Sequence, residues 1–427
     1  MPRHLVIIVV AFLIVGANGV GRNAEAGGII LYELGTPDVG RASAGWAARA
    51  SDAATLFANP AGMSRLPGKE LLVGGQLTYG QFGFKPNENT AVSGNDGGNP
   101  VGWLPGGSVF YTQQLGSGWN VGIGAFSYFG LAAEYDQGWV GRYYVQKSAL
   151  IGLTLMPAVS YRVNEQLSFG AGFNWMFGYF EQENTIRNIA QQTDGSFKLN
   201  DNTQGFGANV GALWEFNDES RVGLTYVSQV SLDLRDTPEF TGIGPVLEAA
   251  LGRSGVLGAE VDLGMKVPHM IMASARHELS DGWAVLGNVG WQNWENFGKM
   301  QVSIGDTLLS TTTDLDYKDT WHVAVGADWG VAEQLLVTGG FAYDSSPVND
   351  ENRALEMPMG ETWRFAVGGQ WATNESIKLG FAYQLTWLGN LAIDQYRQIG
   401  NQVINRVAGQ YESTSLHAIA VNLTWNI

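Results

Sequence analysis

The feature that most constrains this chain is a pair of tryptophans eight residues apart, which occurs three times. The pairs bound the stretches WAVLGNVGW (283–291), WHVAVGADW (321–329) and WRFAVGGQW (363–371). Because eight is even, both tryptophans of a pair lie on the same face of a β-strand. A strand of this length, tilted by about 40°, separates the two rings by about 20 Å along a bilayer normal.

The residues between the tryptophans alternate in polarity. Those in phase with the rings are apolar or small, whereas the opposite phase is largely polar and holds His322, Asp328, Asn288, Arg364 and Gln370. Lipid on one face, a wet lumen on the other and aromatic rings at two interfaces are typical of a transmembrane β-barrel. A soluble β-sandwich is the alternative, but nothing in that fold requires this tryptophan spacing on an outward face.

Composition excludes several other classes of protein. Of the 427 residues 58 are glycine, only 15% are charged, and the mean hydropathy is −0.04, which fits neither a disordered chain nor a helical membrane protein. The chain has no cysteine, so a disulfide scaffold is excluded. The net charge of −16 argues against binding to nucleic acid.

The N-terminus has the pattern of a secretory signal peptide. Arg3 precedes the apolar run LVIIVVAFLIV (5–15), and the small residues of AEA (24–26) follow. We predict a signal peptide over 1–26, with cleavage after Ala26. A membrane anchor is disfavoured because eleven apolar residues are too few to span a bilayer. Export and a barrel pattern together predict the outer membrane of a Gram-negative bacterium.

Alternating segments follow one another from residue 69 to the C-terminus. We place fourteen strands at about 69–84, 106–115, 119–131, 149–163, 166–187, 196–216, 219–235, 258–278, 282–304, 319–330, 333–345, 361–372, 375–388 and 412–427. An even number suits closure of a bacterial barrel. Short and long connections alternate between them, as periplasmic turns and external loops do, which puts both termini on the periplasmic side.

Residues 27–68 precede the first strand and are rich in alanine, glycine and serine. The segment is too long for a tail and too apolar to lie comfortably in water, and the nearest shelter is the barrel lumen. The expected fold is therefore all-β: a transmembrane antiparallel β-barrel of about fourteen strands over 69–427, with a small N-terminal helical hatch over 27–68 inside the lumen. A loose periplasmic tail is the alternative for 27–68.

Two blocks of sequence resemble the FadL/TodX family of outer-membrane transporters. The first is VGRASAG (39–45) with DAATLFANPAGMSRL (52–66), which contains Gly40, Arg41 and the triplet Asn59, Pro60 and Ala61. The second is the stretch 127–175, beginning SYFGLAAEYDQGWVGRY, which is similar to the third to fifth strands of the family. The chain departs from many outer-membrane barrels at its end, where isoleucine stands in place of phenylalanine.

The resemblance implies passive uptake of hydrophobic molecules, long-chain fatty acids first, with binding in external loops and the lumen. It implies a hatch that blocks the lumen and sideways exit through a kink in the third strand. Sideways exit is physically reasonable, because release into water costs about 0.8 kcal/mol for each CH₂ re-exposed. The alternatives are a general diffusion porin or a structural barrel and, within the family, aromatic or aliphatic hydrocarbons as substrates.

Three groups of residues are candidates for this function. Alternation fails at the kink, for which we name Ser127, Phe129, Gly130 and Leu131, with Gly130 expected to allow an unusual backbone; an ordinary strand end is the alternative. Apolar residues of the 236–257 connection either form a landing site for substrate or pack the loops together: Phe240, Ile243, Val246, Leu247, Leu251, Val256 and Leu257. The candidate cations for an anionic headgroup are Arg142, Arg364 and Lys378.

No sequence motif supports catalysis. The chain has no HExxH, GxSxG or Walker loop, so we expect neither an enzyme nor a bound cofactor or metal. The expected partners are a hydrophobic small molecule and the lipid and lipopolysaccharide of the outer membrane, around a monomer.

Overall fold

The computed structural model describes residues 31–188, 193–280, 282–305, 309–399 and 401–427. The predicted signal peptide therefore lies outside the described residues. The N-terminal part contains two 3₁₀ helices, Pro37–Arg41 and Pro60–Arg65, and the short helix α1 (Thr55–Ala58). Two more helices lie in the long connections, α2 (Pro245–Ser254) and α3 (Trp294–Gly298). Among the described residues, no helix is long and apolar enough to cross a bilayer.

The strands, numbered in chain order, are β1 (Lys69–Pro86), β2 (Gly102–Gly116), β3 (Trp119–Glu134), β4 (Lys147–Arg162), β5 (Leu167–Ile186), β6 (Gly195–Glu215), β7 (Ser220–Val227), β8 (Val230–Asp236), β9 (Glu239–Thr241), β10 (Val261–Val267), β11 (Met270–Ser280), β12 (Trp283–Gln292), β13 (Lys299–Ile304), β14 (Leu309–Asp314), β15 (Thr320–Ala332), β16 (Leu335–Asp344), β17 (Thr362–Ala372), β18 (Ile377–Ile399) and β19 (Gln402–Asn426).

Fourteen of these strands form one closed antiparallel barrel, which confirms the predicted fold class and strand number. They are β1 to β7, β11, β12 and β15 to β19, and each pairs with its neighbours in that order. The barrel closes where β1 pairs with β19, and the Ile427 amide donates to the Lys69 carbonyl at 2.9 Å beyond the last pair. Closure pairs the backbone groups that an edge strand would leave open to lipid.

The tryptophans occupy the positions that their spacing predicts. β12 and β15 place Trp283 opposite Trp329 and Trp291 opposite Trp321, and the first two rings stack with their centres 5.1 Å apart. The residues in phase with them, such as Val325, are exposed on the outer face, whereas His322 is buried on the lumen side. The two phases of these strands therefore face lipid and lumen respectively.

Three of the predicted strands, 219–235, 258–278 and 282–304, were drawn too long. Each is interrupted just beyond the β7–β11–β12 pairing. Their outer parts, β8, β10 and β13, form a separate four-stranded sheet together with β14 of the following connection, in the order β14-β13-β10-β8. One break follows from Pro268, which lacks the N–H that a continuous strand would need. The apolar face of this sheet is buried, and Val230 and Leu232 of β8 contact lumen-facing glycines of β5 and β6. The sheet thus folds inward over the lumen.

The predicted loop at 389–411 is instead a β-hairpin, because β18 and β19 continue well beyond the barrel wall. The pairing register shifts between Trp387 and Gly389 and again between Gly389 and Leu391. The first shift inserts Leu388 into β18 and reverses the inward and outward phase of the residues that follow in that strand. The alternation therefore ends at about residue 388 although the strand does not.

Residues 31–66, which we call the hatch segment, lie inside the barrel and are almost all buried. Lumen-facing glycines on eight strands meet this segment, and a Cβ on any of them would come within 3 Å of a hatch atom: Gly74, Gly122, Gly170, Gly211, Gly223, Gly326, Gly340 and Gly368. The absence of side chains at these positions lets the hatch backbone lie directly against the barrel wall.

Buried ion pairs order the hatch segment and attach it to the barrel wall. Arg41 bonds to Asp328 of β15 at 2.5 Å, whereas Arg49 pairs within the segment, with Asp38 at 2.6 Å and with Asp52 at 2.5 Å. Asn59 is fully buried, and its amide donates to the carbonyls of Ala47 (2.8 Å) and, in the wall, Ala212 (2.9 Å). Removing one partner of a buried ion pair is strongly destabilising, so these contacts favour a single position of the segment in the lumen.

The glycine contacts predict that the substitution Gly340→Ala displaces the hatch segment from the barrel wall. The added methyl group would overlap the Arg41 carbonyl, and such overpacking costs about 1–3 kcal/mol. Gly339→Ala is the matched control, because a Cβ on this neighbouring residue has its nearest atom, the Ala366 carbonyl oxygen, 3.8 Å away. We expect higher ion conductance in planar bilayers for Gly340→Ala alone. Equal conductance of the two variants would contradict this account of the glycines.

Candidate functional site

The barrel wall has a gap between β2 and β3. Their pairing ends at Ser108 and Phe126, and the only pairings described beyond it join residues 102–107 to β1 and the rest of β3 to β4. The two sides meet again where the Glu134 amide donates to the Pro100 carbonyl at 2.8 Å. We call the opening between 102–107 and 127–133 the wall gap.

A β-bulge in β3 produces this gap. The register with β4 shifts between Ser127 and Phe129, so that Tyr128 is the inserted residue. The predicted kink therefore coincides with an irregularity of the strand, but the reason given for Gly130 was wrong. Gly130 is not among the residues with positive φ, and a Cβ there would meet no atom within 4 Å. Gly130 leaves space in the gap and is not needed for an unusual backbone.

The bulge turns the Tyr128 carbonyl toward the hatch segment, where it accepts a hydrogen bond from the Leu31 amide at 3.2 Å. The Tyr128 ring is buried in an aromatic cluster with Phe57 of the hatch segment and Phe126. The edge of the wall gap is thus attached directly to the first described residue of the hatch segment.

A cavity of about 130 Å³ lies behind the wall gap, and we call it the hatch cavity. Leu104 of β2 and Gly130, Leu131 and Ala133 of β3 line its gap side. Further apolar walls come from the hatch segment, the outer loops and the far strands: Leu31, Phe82, Val101, Met357, Met359, Leu388 and Leu416. Its size is close to that of an engineered apolar cavity of about 150 Å³ that binds benzene.

One end of the hatch cavity is polar and centres on Arg364 of β17. Its guanidinium lies 3.3 Å from the Glu33 carboxylate and 3.1 Å from that of Asp344, and 5.0 Å from the ring centre of Tyr32. Asp344 in turn bonds to His322 at 2.8 Å. All of these side chains are buried, so the ion pairs are little screened by water.

Two further donors reach the Glu33 carboxylate. The Ser43 hydroxyl donates to it at 2.8 Å. The Gln384 amide nitrogen, in the orientation that pairs both ends of the side chain, donates to Glu33 at 3.2 Å and to the Val39 carbonyl at 3.3 Å. The hatch cavity is therefore an apolar chamber with a carboxylate-binding corner, and Glu33 fills that corner.

A second cavity, of about 100 Å³, lies beneath the inward-folded sheet, and we call it the loop cavity. Met265, Phe297 and Met300 line it from the loop side, and Leu150 and Phe180 line it from the barrel. It shares Leu131 and Met357 with the hatch cavity. Glu356, on a loop that lines it, is half-buried, and the loss of solvation raises the pKa of its carboxyl group.

The three candidate cations do not come together. Arg364 lines the hatch cavity, whereas Arg142 lies in the β3–β4 connection and donates to the carbonyls of Ser93 (2.8 Å) and Trp139 (2.9 Å). Lys378 lies near the short-turn end of β18, close to Glu70. The linings of the two cavities include neither Arg142 nor Lys378.

The apolar connection at 236–257 contains the helix α2, as the spacing of its residues suggests. Leu251 and Val256 are buried in the large apolar cluster, and Phe240, Ile243 and Leu247 pack against it. Val246 and Leu257 remain exposed, at 54% and 41%. Most of this set therefore packs the loops together, and two residues remain available to meet a substrate.

Sequence reasoning missed Glu33, Ser43 and Gln384. Gln384 had a signal, because it lies in the polar phase of the segment IKLGFAYQLT (377–386) and therefore faces the lumen. Glu33 had none, since its partner Arg364 is 331 residues away. Only the seating of the hatch segment in the closed barrel brings the two together.

Residues 18–426 match the family described as outer membrane protein transport protein (OMPP1/FadL/TodX). The chain is 26% identical over 405 residues to "Outer membrane protein P1" of Haemophilus influenzae, covering 84% of this chain and 86% of that protein. It is also 26% identical over 397 residues to the "Long-chain fatty acid transport protein" of an Escherichia coli strain, covering 85% and 88% respectively.

Among solved structures, a Pseudomonas aeruginosa FadL homologue superimposes with a TM-score of 0.84 at 18% identity. The match covers 93% of this chain and 99% of that chain, which establishes the same fold. The family match extends over nearly the whole sequence, including the hatch segment and every barrel strand. The chain therefore belongs to the OMPP1/FadL/TodX family of outer-membrane transport proteins.

Proposed function

We propose that this protein carries long-chain fatty acids passively across the outer membrane and releases them sideways through the wall gap. Transport of hydrophobic molecules is the function of its family, and relatives similar over most of the chain are named long-chain fatty acid transport proteins. The observation that carries the proposal is an apolar cavity with a carboxylate-binding corner, bounded by the hatch segment and adjoining a gap in the barrel wall.

A sideways exit agrees with the energetics of an apolar substrate. A fatty acyl chain that passes from the hatch cavity into the bilayer keeps its methylene groups out of water, whereas release into the periplasm would expose them. The gap leaves backbone N–H and C=O groups unpaired, and such groups are energetically unfavourable in lipid. The Leu31–Tyr128 hydrogen bond reduces this cost by pairing the carbonyl of the bulged residue.

The two cavities suggest the path from outside. A substrate that enters beneath the inward-folded sheet occupies the loop cavity, and Leu131 and Met357 separate this cavity from the hatch cavity. Methionine has a flexible side chain that adapts to different contacts, so Met357 is suited to move aside. Val246 and Leu257, on the outer loops, are the residues that we assign to first contact with substrate.

Arg364 favours a fatty acid over a hydrocarbon as the substrate. A buried guanidinium next to an apolar chamber matches a molecule with one carboxylate and a long apolar tail. An aromatic or aliphatic hydrocarbon would use only the apolar walls. Arg142 and Lys378 stay predictions from the sequence, without a described role at either cavity.

We expect Gly130→Phe to block the exit. The ring would project into the open space of the wall gap, and a barrier higher by about 1.4 kcal/mol lowers the transport rate about tenfold. The measurement is uptake of radiolabelled oleate by cells that depend on this protein for it. Gly83→Phe is the matched control, since Gly83 also has open space around it but lies outside the hatch cavity. Undiminished uptake in Gly130→Phe would rule out exit through this gap.

A second prediction concerns first contact with substrate. Replacing both Val246 and Leu257 with serine removes about 1 kcal/mol of apolar contact, which should raise the apparent KM for oleate about fivefold and leave the maximal rate unchanged. Val403→Ser is the control, because Val403 is 50% exposed on the outer hairpin and belongs to neither the α2 region nor the cavity linings. An unchanged KM would show that these two residues do not make the first contact with substrate.

A further inference from the structure

We propose that Glu33 is a built-in substitute for the substrate carboxylate, and that a fatty acid acts by replacing it on Arg364. This inference rests on the transport function proposed above and extends it to the step that frees the hatch segment. It defines the substrate class as carboxylates with an apolar chain, and it identifies the corner of Arg364, Ser43 and Gln384 as their binding site.

The corner has the donors that a carboxylate requires. A guanidinium, a hydroxyl and an amide converge on the Glu33 carboxylate at 3.3, 2.8 and 3.2 Å respectively. Glu33, Arg364 and Gln384 also line the hatch cavity, so the site faces the space that a substrate tail would fill. Charge-assisted hydrogen bonds of this kind are stronger than neutral ones and do not distinguish a glutamate from a fatty acid.

The balance of charge around Arg364 requires that the substrate carboxylate displaces the Glu33 carboxylate and does not bind beside it. Arg364 already holds a second carboxylate, Asp344, at 3.1 Å, and Asp344 is bonded to His322. A third carboxylate at this buried guanidinium would add like-charge repulsion without a new cation to offset it. Replacement of Glu33 leaves the charge at the corner unchanged.

Displacement of Glu33 would act directly on the wall gap. Leu31, two residues away, is hydrogen-bonded to the bulged Tyr128 at the edge of the gap, and its side chain lines the hatch cavity. Tyr32, between them, packs against the Arg364 guanidinium and against Trp46. When Glu33 leaves Arg364, the start of the hatch segment loses its ion pair and the Leu31–Tyr128 contact loses support. A neutral apolar molecule makes no such exchange.

The test compares oleate with methyl oleate, which has the same tail but no negative charge. Binding of both ligands and hydrogen exchange of the peptide covering residues 31–36 are measured on the full-length protein in lipid nanodiscs. We expect oleate to bind and to accelerate exchange in this peptide, and methyl oleate to leave the exchange unchanged. This comparison on the unaltered protein needs no variant.

Glu33→Gln weakens the internal competitor while preserving its shape. We expect this variant to bind oleate about tenfold more tightly, because a hydrogen-bonding competitor has lost its charge, and to exchange rapidly at 31–36 without ligand. Its affinity for methyl oleate should not change. Glu70→Gln is the matched control, since Glu70 is a buried carboxylate that bonds to the Ala53 amide of the hatch segment but does not line the hatch cavity.

The two proposals fail in different ways. If oleate binds the unaltered protein and Glu33→Gln equally well, and both ligands affect exchange at 31–36 alike, the carboxylate exchange is overturned while the transport function stands. If Glu70→Gln gains affinity for oleate as much as Glu33→Gln does, the effect is one of general charge and the assignment of the corner is overturned. If neither ligand binds the unaltered protein, the transport function fails and the exchange fails with it.

Discussion

Backbone N–H and C=O groups cannot remain unpaired in a bilayer, and the structure of this protein depends on that constraint. Fourteen strands satisfy it by closing on one another, from the β1–β2 pairing round to β1–β19. The wall gap is a local exception, produced by a single inserted residue in β3. It is compatible with the membrane because the neighbouring segments close it above, through Pro100 and Glu134, and because Leu31 pairs the Tyr128 carbonyl from within.

A close fit between the hatch segment and the wall makes this arrangement specific. Glycines on eight strands bring the wall backbone against the hatch, and buried pairs such as Arg41–Asp328 fix where it sits. The hatch and loop cavities above this segment are small and are bounded by defined side chains. The high glycine content, which in the sequence only helped to exclude other classes of protein, is explained in part by this contact.

Electrostatics within the lumen then decides what these spaces can bind. Arg364, Asp344, His322 and Glu33 form a buried chain of charged and polar contacts at the edge of an apolar chamber. Such a chain is stable only while each charge has a partner, so a ligand that carries a carboxylate can compete for a place in it. The few residues between Leu31 and Glu33 connect Arg364 to the edge of the wall gap, and the proposed exchange at Glu33 would couple substrate binding to both.

The sequence by itself determined the barrel, because alternation and tryptophan spacing depend only on the period of a strand. For the same reason it determined which residues face the lumen. It predicted a hatch before the first strand and a kink over Ser127–Leu131, and it named Gly130 for the unusual backbone, whereas the residue inserted in the register of β3 is Tyr128. It could not show that the outer parts of three strands fold inward, or that β18 and β19 continue past their bulges. Only the tertiary structure decided the binding corner, since Glu33 and Arg364 are 331 residues apart and meet through the closure of the barrel around the hatch segment, a contact that no local pattern records.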